Sequence, residues 1–382
     1  MKICVSSNDL KKALDAVMDA SPSRPALPAH GCVHIQTAVD SNGYDCVILS
    51  CQDGALEIRR WLNCVVQEQG NALIQARLLR NYIAVMDGMV TISCKENDAK
   101  CQINAGKKKN SIACLPPSEY AFSAADKSIC QYASLPAETL KRFVSTCAHC
   151  AGTDMTRMAL TGMLLEMQAG KCMATCTSGF TFAHVEAPAN VHCEGSLLIP
   201  VSSLQKASKL LGASKTPIII QGGKTLCRMS GEGAEITFSL LTAQYVDYRR
   251  LMHYEAPTNV LVDCKELLSA VNSTAIAAAD GQKNAVTVSV ENGVITLKAS
   301  SQNSDSVCTV DCLQYGTSIE ASFNPRYMID ALECAAKEAA NVTLLFKGPV
   351  SPLAIMPETE QKEKPFTPYF LVLPVRTFTQ RS

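Results

Sequence analysis

The sharpest pattern of reactive side chains is Cys147-Ala-His-Cys150, in which two thiols stand on either side of a histidine. Such a pair can bind zinc or exchange a disulfide. A structural zinc site needs four ligands, however, and the nearest second pair, Cys172 and Cys176, has a longer spacing. A redox pair is expected where a strand leads into a helix, whereas this one ends a predicted helix. The sequence therefore favours buried packing cysteines, with a metal or redox role for Cys147 and Cys150 as the alternative.

Other catalytic signatures are missing from the sequence. It contains no G-x-x-x-x-G-K-[ST] phosphate loop, no H-E-x-x-H and no G-x-S-x-G. Gly222-Gly223-Lys224 resembles part of a phosphate loop, but it joins two strand patterns and is better explained as a hairpin turn. The histidines do not group with carboxylates at an acid–base spacing. We therefore expect a binding or scaffolding protein, not an enzyme, with no cofactor and no metal.

Composition sets the class of protein. The chain has 382 residues, of which 47% are hydrophobic, and its 35 basic residues balance 35 acidic ones. Its longest apolar stretches are far shorter than the ~18 residues that cross a bilayer, and the first residues, MKICVSSNDLKK, lack the apolar core of a signal peptide. With 19 cysteines spread along the whole chain, we expect reduced thiols, a cytoplasmic location and no membrane partner.

Six helical patterns recur along the chain at nearly even spacing. Each has apolar residues three or four positions apart, which is typical of a helix with one buried stripe. The intervals between their anchors are 69, 61, 64, 63 and 61 residues, for Leu10, Leu79, Leu140, Leu204, Leu267 and Met328. Such regularity indicates a repeated structural unit of about 64 residues.

Between the helices, polar and apolar residues alternate with a period of two, as in VHIQT and AVTVSV. Short turn signals such as Glu291-Asn292-Gly293 separate these strand patterns. Each unit is therefore predicted to be one helix followed by a small antiparallel meander, which gives an α+β fold. Two units make a pseudo-symmetric domain, and the linker-like stretches 123–128 and 255–258 predict three similar domains over residues 1–127, 128–256 and 257–382.

The polar faces of the helices carry basic residues in each unit. If all six helices faced a common centre, these residues would form a diffuse ring of phosphate contacts that does not read base sequence. The set comprises Lys11, Lys12, Arg77, Arg80, Lys141, Arg142, Lys206, Lys209, Lys265 and Arg326. Acidic residues share these faces, so the predicted contact with nucleic acid is loose enough to permit sliding.

Five segments, in their order and spacing, resemble the bacterial sliding clamp family, the beta subunit of DNA polymerase III. They are RPALP at 24–28, LTGM at 160–163, VDYRRL at 246–251, FNPRY at 323–327 and LVLPVR at 371–376. The resemblance covers essentially the full chain. It implies the DNA clamp fold, with three similar domains per subunit and a ring formed by a head-to-tail homodimer. It further implies a non-catalytic processivity factor that encircles double-stranded DNA.

The resemblance also implies partners and the pocket that binds them. The replicative polymerase alpha subunit, the clamp loader and other clamp-binding-motif proteins would insert a linear motif between the second and third domains. Carried over by position, the pocket comprises Leu160, Thr177, Gly179, Phe182, Val246, Arg250, Leu251, Asn324, Tyr327, Val350, Leu373, Pro374, Val375 and Arg376. The family's T-D-G-H-R-L loop reads TSGFTF at 177–182, so the rim of the pocket is expected to be more apolar.

Two other surfaces follow from the same resemblance. Arg24, Arg77 and Lys209 match positions that face DNA, although Val201-Ser202 stands where the family often has a basic pair. The dimer seam would join Lys107, Lys109 and Ile112 of one subunit to Ile276 and Asp305 of the other. Because the family's acidic run at the seam is reduced to Asp305, its ion pairs are expected to add little stability.

Overall fold

A computed structural model of the protein describes residues 1–40, 42–95, 98–121, 129–252, 255–281, 284–358 and 366–375. These residues form two compact units. Unit 1 comprises Met1–Lys141 and Ser202–Leu240, and unit 2 comprises Arg142–Val201 and Leu241–Ser382. Residue 127, a predicted domain boundary, lies outside the described residues, and the three-domain division of the chain stays a prediction at this level.

The six predicted helices are confirmed, and every predicted anchor is completely buried. The helices of the described chain are α1 Ser7–Val17, α2 Ala76–Ala84, α3 Ala137–Cys147, α4 Val201–Leu211, α5 Arg249–Met252, α6 Cys264–Ala279 and α7 Pro325–Ala335. Only the four-residue α5 was not predicted, because a single turn is too short to show a helical period.

Two of the helices begin at side-chain caps that are visible in the sequence. Asp263 accepts hydrogen bonds from the backbone amides of Lys265 and Glu266, both at 2.9 Å, and starts α6. Asn324 accepts from the amide of Arg326 at 3.0 Å and precedes Pro325, the first residue of α7. Such caps satisfy amides that have no partner within the helix.

Strands fill most of the remaining sequence. The first ten are β1 Lys2–Ser6, β2 Cys32–Val39, β3 Asp45–Gln52, β4 Leu56–Asn63, β5 Val65–Glu68, β6 Asn71–Gln75, β7 Met89–Ser93, β8 Lys100–Ala105, β9 Lys108–Leu115 and β10 Cys130–Leu135. The next eight are β11 Gly162–Gln168, β12 Lys171–Thr177, β13 Thr181–Pro188, β14 Asn190–Val191, β15 Gly195–Pro200, β16 Ile218–Gly222, β17 Leu226–Gly231 and β18 Ala234–Ser239. The last nine are β19 Thr258–Asp263, β20 Val286–Glu291, β21 Val294–Ser300, β22 Asp305–Asp311, β23 Leu313–Gly316, β24 Ile319–Phe323, β25 Asn341–Phe346, β26 Leu353–Pro357 and β27 Tyr369–Val372.

In unit 1 the strands form one antiparallel sheet in the order β10-β16-β17-β18-β4-β3-β2-β6-β9-β8-β7-β1-β5. Gly222-Gly223-Lys224 joins β16 to β17, with Gly222 opposite Cys227, so the predicted hairpin turn is confirmed. Strand β9 pairs with β6 only through Cys114 and Leu115. Along residues 108–113, β9 therefore pairs on one side only, with β8, among the described strands.

Unit 2 contains two sheets, with strand orders β15-β11-β12-β13-β27-β26-β25-β19-β23 and β22-β21-β20-β24. Asn292 and Gly293 both have positive φ, at 52° and 79°, in the hairpin between β20 and β21, as a type I′ turn requires. In the first sheet, Phe182 on β13 lies opposite Leu371 on β27. This register brings the loop before β13 beside the end of β27. Among the described residues, no helix is both long and apolar enough to cross a membrane.

Candidate functional site

The loop that joins β12 to β13 in unit 2 is held by its own side chains. The Thr177 hydroxyl donates to the Thr181 carbonyl at 2.7 Å and accepts from the Gly179 amide at 3.1 Å. The Ser178 hydroxyl accepts from the amides of Phe180 and Thr181 at 3.2 and 3.1 Å. With a φ of 89°, Gly179 adopts the left-handed conformation that closes the loop. The loop therefore presents Phe180, which is 52% exposed.

A small cavity of about 260 Å³ lies in unit 2 beside this loop. Its lining combines two predicted pocket residues with side chains from three neighbouring segments. The lining residues are His149, Ala151, Gly152, Thr153, Asp154, Arg157, Leu160, Ser178, Phe180, Thr181 and Tyr327. This volume is below the range of about 300–1,000 Å³ that is usual for sites of drug-sized ligands. The cavity is therefore suited to individual side chains of a longer ligand.

An apolar cluster supports the strands next to the cavity. Phe182, which is only 2% exposed, packs with Tyr248 and Tyr369, at ring-centroid distances of 5.8 and 6.3 Å. Buried Leu164 and Leu371 belong to the same cluster. The predicted pocket residue Phe182 is thus a core residue that fixes β13, and the loop residues before it are the ones at the surface.

The end of β27 lies directly against the loop. The Leu373 amide donates to the Phe180 carbonyl at 2.9 Å, and Val375 donates to Ser322 at 2.7 Å. Pro374 forms a bridge with Phe323, the residue before the α7 cap. Leu373, Pro374 and Val375 are all half-buried. Main-chain contacts thus connect three predicted pocket segments: the loop, residues 373–375 after β27 and the start of α7.

The other predicted pocket residues of this unit are more exposed. Val246, Leu251 and Val350 are 46%, 39% and 79% exposed, and Arg250 extends into solvent with Asp247 3.6 Å away. Asn324 uses its side-chain oxygen as the α7 cap and so positions Tyr327 one turn later. Arg376 lies outside the described residues.

Several lining residues were not predicted from the sequence. Phe180 belongs to the altered TSGFTF loop, which is the signal that marks it. Arg157 lies 3.4 Å from Asp154 and supplies charge at the cavity, but its surrounding sequence has no motif. The His149 ring nitrogen Nε2 is buried without a hydrogen bond, and burial lowers the pKa of His149. The cavity therefore combines apolar side chains with hydroxyl groups, a buried histidine and one ion pair.

The Cys147 and Cys150 thiols lie in the interior of unit 2, where they are at most 2% exposed. Cys147 donates to the Ala174 carbonyl at 3.6 Å. Burial raises the pKa of both thiols, to about 12 for Cys150. Protonated, enclosed thiols neither attack disulfides nor bind metals readily. Nothing in their surroundings supports the metal or redox alternative, and they pack as small apolar side chains.

The residues predicted to face DNA all belong to unit 1. Arg24 and Arg77 are exposed, whereas the Lys209 ammonium lies 2.6 Å from the Asp19 carboxylate. A neighbouring pair joins Arg80 to Asp15 at 2.9 Å. Acidic residues therefore neutralise part of the basic face that the sequence predicted.

The predicted seam residues divide into surface and core. Lys107 and Lys109 are exposed at the hairpin between β8 and β9, but Ile112 is only 1% exposed. Because side chains alternate along β9, the Ile112 side chain points into the core of unit 1, and its place at the seam stays a prediction. In unit 2, Ile276 on α6 is 75% exposed, and Asp305 begins the edge strand β22.

Comparison with known proteins places the whole chain in one family. Models of the N-terminal, central and C-terminal domains of the DNA polymerase III beta subunit match residues 1–123, 134–247 and 249–369. The beta sliding clamps of Bacillus subtilis and Streptomyces coelicolor are each 24% identical to it, over 99% and 98% of this chain and 100% and 99% of theirs.

Solved structures agree on the fold. The DNA polymerase sliding clamp of Bacillus subtilis superposes with a TM-score of 0.90 at 23% identity, covering 99% of this chain and 100% of that one. The DNA polymerase III beta subunit of Pseudomonas aeruginosa superposes with a TM-score of 0.89 at 20% identity, with the same coverage of both chains. The three-domain clamp fold predicted from the sequence is thus confirmed. The chain belongs to the family of DNA polymerase III beta subunits, the sliding clamps.

Proposed function

We propose that this chain is a non-catalytic processivity clamp that encircles double-stranded DNA as a head-to-tail homodimer. In this role it tethers the replicative DNA polymerase through its alpha subunit and binds the clamp loader and other proteins that carry a clamp-binding motif. The observation that carries the proposal is the cavity beside the Thr177–Phe182 loop, whose lining includes Leu160 and Tyr327 of the pocket expected from the family resemblance. We divide the chain into clamp domains at residues 1–127, 128–256 and 257–382.

The pocket is suited to a short linear motif with apolar anchors. Leu160 and Phe180 supply apolar surface, while the hydrogen-bonded loop and the Leu373–Phe180 contact hold the walls in place before a ligand arrives. A preformed pocket spares a binding peptide the cost of ordering its receptor. Because Phe180 replaces the family's histidine, we propose that the preferred partner motif places an aromatic or aliphatic side chain at this rim.

DNA is held by enclosure and by few charges. Arg24 and Arg77 contribute exposed positive charge in unit 1, whereas Lys209 is paired with Asp19. Each phosphate contact adds affinity that depends on salt and not on base sequence. Weak contacts of this kind let a ring remain on the duplex and still slide along it.

The proposed homodimer joins two sheet edges. One is the outer side of β9, next to Lys107 and Lys109, and the other is β22 of the partner subunit, beside exposed Ile276 and Val307. An unpaired edge strand can add the strand of another chain through main-chain hydrogen bonds. The seam therefore depends on strand pairing and apolar contact, with Asp305 as a minor charged contribution.

Retention on DNA tests the proposed function. The protein is loaded onto nicked circular plasmid with its clamp loader and ATP, and the complex is separated from free protein by gel filtration. We expect it to remain bound until the plasmid is cut, and to be released by slow diffusion over the ends. A linear template with blocked ends is the control and should retain the protein. Equal retention on open linear DNA would contradict enclosure.

The solution mass tests the homodimer. Sedimentation of the wild-type chain should give twice the 41.0 kDa monomer mass at micromolar concentration. Ile276→Asp places a charge at the proposed seam and should weaken the dimer by at least about tenfold. Leu313→Asp, a change at a 58% exposed position on another strand, is the matched control. A monomeric wild type, or equal dissociation of both variants, would overturn the seam.

A further inference from the structure

Three thiols in unit 1 converge where three neighbouring strands meet. Cys94 follows β7, Cys101 lies on β8 and Cys114 on β9. Their Sγ atoms all lie within 4.8 Å of one another. Across the described ranges, no other three cysteine, histidine or acidic side chains converge in this way. The cluster is separate from the pocket and from the Cys147–Cys150 pair, which belong to unit 2.

The main chain holds the three cysteines in position. The Cys94 amide donates to the Met1 carbonyl at 2.9 Å, and the Met1 ammonium donates to the Cys94 carbonyl at 2.8 Å. The Cys114 amide donates to the Ala99 carbonyl at 3.0 Å, beside the register that pairs Cys101 with Ile112. The sulfur atoms are therefore brought together by regular strand pairing, and a ligand would not need to assemble the site.

We propose that Cys94, Cys101 and Cys114 form a binding site for a single zinc ion, with the fourth coordination position open to water or an outside ligand. The distance between the Cys94 and Cys114 sulfurs is 3.7 Å. Two thiolates on one tetrahedral zinc, with Zn–S bonds of about 2.3 Å, would stand about 3.8 Å apart. A disulfide would instead require about 2.05 Å. Cys114 is half-buried, which gives an ion a path from solvent.

Zinc would replace the thiol protons of the cluster. Zinc binds cysteine as the thiolate, so binding releases protons and the affinity should rise with pH.

Zinc and thiolate chemistry explain the choice of ion. Cysteine sulfurs select soft or borderline ions, and a set of three thiolates with an open fourth position suits tetrahedral zinc. The hard cations Mg²⁺ and Ca²⁺ require oxygen ligands. Since the sulfurs come from three consecutive strands, a bound ion would cross-link β7, β8 and β9 and stabilise unit 1 against unfolding.

The test is zinc binding by the full chain under reducing conditions. We expect one equivalent of Zn²⁺ per wild-type chain, measured by competition with a chromogenic chelator. The apparent affinity should rise from pH 6 to pH 7, because the thiols lose protons when they bind zinc. Cobalt used as a probe should give a thiolate-to-metal charge-transfer band, which identifies sulfur ligands.

Variants identify the ligands. Cys94→Ser and Cys114→Ser should each lower the affinity for zinc by at least about 100-fold. Even the loss of a residue that only supports the ligands lowers metal affinity about 10–100-fold. Cys130→Ser, an exposed thiol of the same unit, is the matched control and should bind like wild type. Circular dichroism checks that each variant is folded.

A second readout uses only the wild-type chain. Zinc should protect Cys114 from alkylation by iodoacetamide, as followed by mass spectrometry, while Cys130 is modified at an unchanged rate. The proposal is overturned if the folded, reduced chain binds less than a tenth of an equivalent, or if Cys94→Ser binds as well as wild type. It is also overturned if cobalt gives no thiolate band.

Discussion

We expect the proposed partner pocket of unit 2 and the basic face of unit 1 to bind by opposite means. The pocket concentrates apolar contact at a few side chains around a loop that is already ordered, so a single truncation removes a large share of the contact. The basic face spreads weak charge over separate residues, and acidic neighbours pair with some of them. Partner binding should therefore respond sharply to single substitutions, and DNA binding should respond weakly to any one of them.

The strongest test of this contrast is Tyr327→Ala. The Tyr327 ring lines the cavity from α7, and removing an aromatic anchor from a pocket costs about 2 kcal/mol, or about 30-fold in affinity. The measurement is fluorescence anisotropy of a labelled peptide carrying the clamp-binding motif of a polymerase alpha subunit. Tyr315→Ala, at a 63% exposed position on β23, should bind like wild type. Equal loss in both variants would mean that the cavity is not the binding site.

Phe180→Ala should have a smaller effect, because Phe180 is half exposed at the rim. We expect about a tenfold loss of peptide affinity, mainly through faster dissociation. Phe180→His restores the family's residue and should shift preference toward partner motifs that are more polar at this position. Stopped-flow dissociation of two peptides that differ at one anchor measures both effects. An unchanged preference would show that the rim does not select the motif.

On the basic face, Asp19→Asn should strengthen DNA binding, because it frees the Lys209 ammonium. The affinity for DNA should rise about threefold in low salt. The slope of log affinity against log salt concentration should become steeper by about one. Lys209→Ala alone should change affinity by less than about twofold. Asp98→Asn removes the same charge from an exposed site in the same unit and serves as control. A large loss of DNA affinity in Lys209→Ala would show that the basic face, like the pocket, depends on single residues.

The smallest effect concerns an ion pair on β13, the strand that follows the pocket loop. Hydrogen bonds from His184 and Lys171 lower the pKa of Glu186 to about 2, from an ordinary value of 4.5. A lowered pKa stabilises the fold above about pH 4.5, and this stability is lost as the pH falls toward 2. Because Glu186 is partly exposed, the effect should stay below about 1 kcal/mol.

Glu186→Gln should therefore lower the thermal midpoint slightly at pH 6, and the difference from wild type should shrink at pH 3. Glu291→Gln, at the exposed end of β20, should show no such difference. Peptide affinity should be unchanged in both variants, since neither residue lines the cavity. A change in peptide affinity for Glu186→Gln would mean that charge next to the loop also controls the pocket.

The periodic features of the fold could be predicted from the sequence. Each helix anchor, from Leu10 to Met328, is buried because each helix has one apolar face, which packs against the core. The hairpin at Asn292-Gly293 was equally predictable, because these residues tolerate positive φ.

The site was harder to predict, because it depends on contacts between distant segments. The burial of the Ile112 side chain depends on which face of β9 it occupies, and this is set by the pairing of β9 with β8. The ion pair between Lys209 and Asp19 joins residues 190 positions apart, and no local sequence pattern predicts it. The three-thiol cluster likewise results from strand register, which brings Cys94, Cys101 and Cys114 together although their spacing matches no metal motif.

The half-paired strand β9 exposes main-chain groups that any extended chain could bind. During synthesis, before a partner subunit is present, such an edge is a hazard for aggregation. Lys107 and Lys109 are exposed at its beginning, and a strand that docked there without opposite charge would bury their ammonium groups unpaired. These two lysines, which are expected to add little attraction at the proposed seam, would thus keep the newly made subunit from joining the wrong chain.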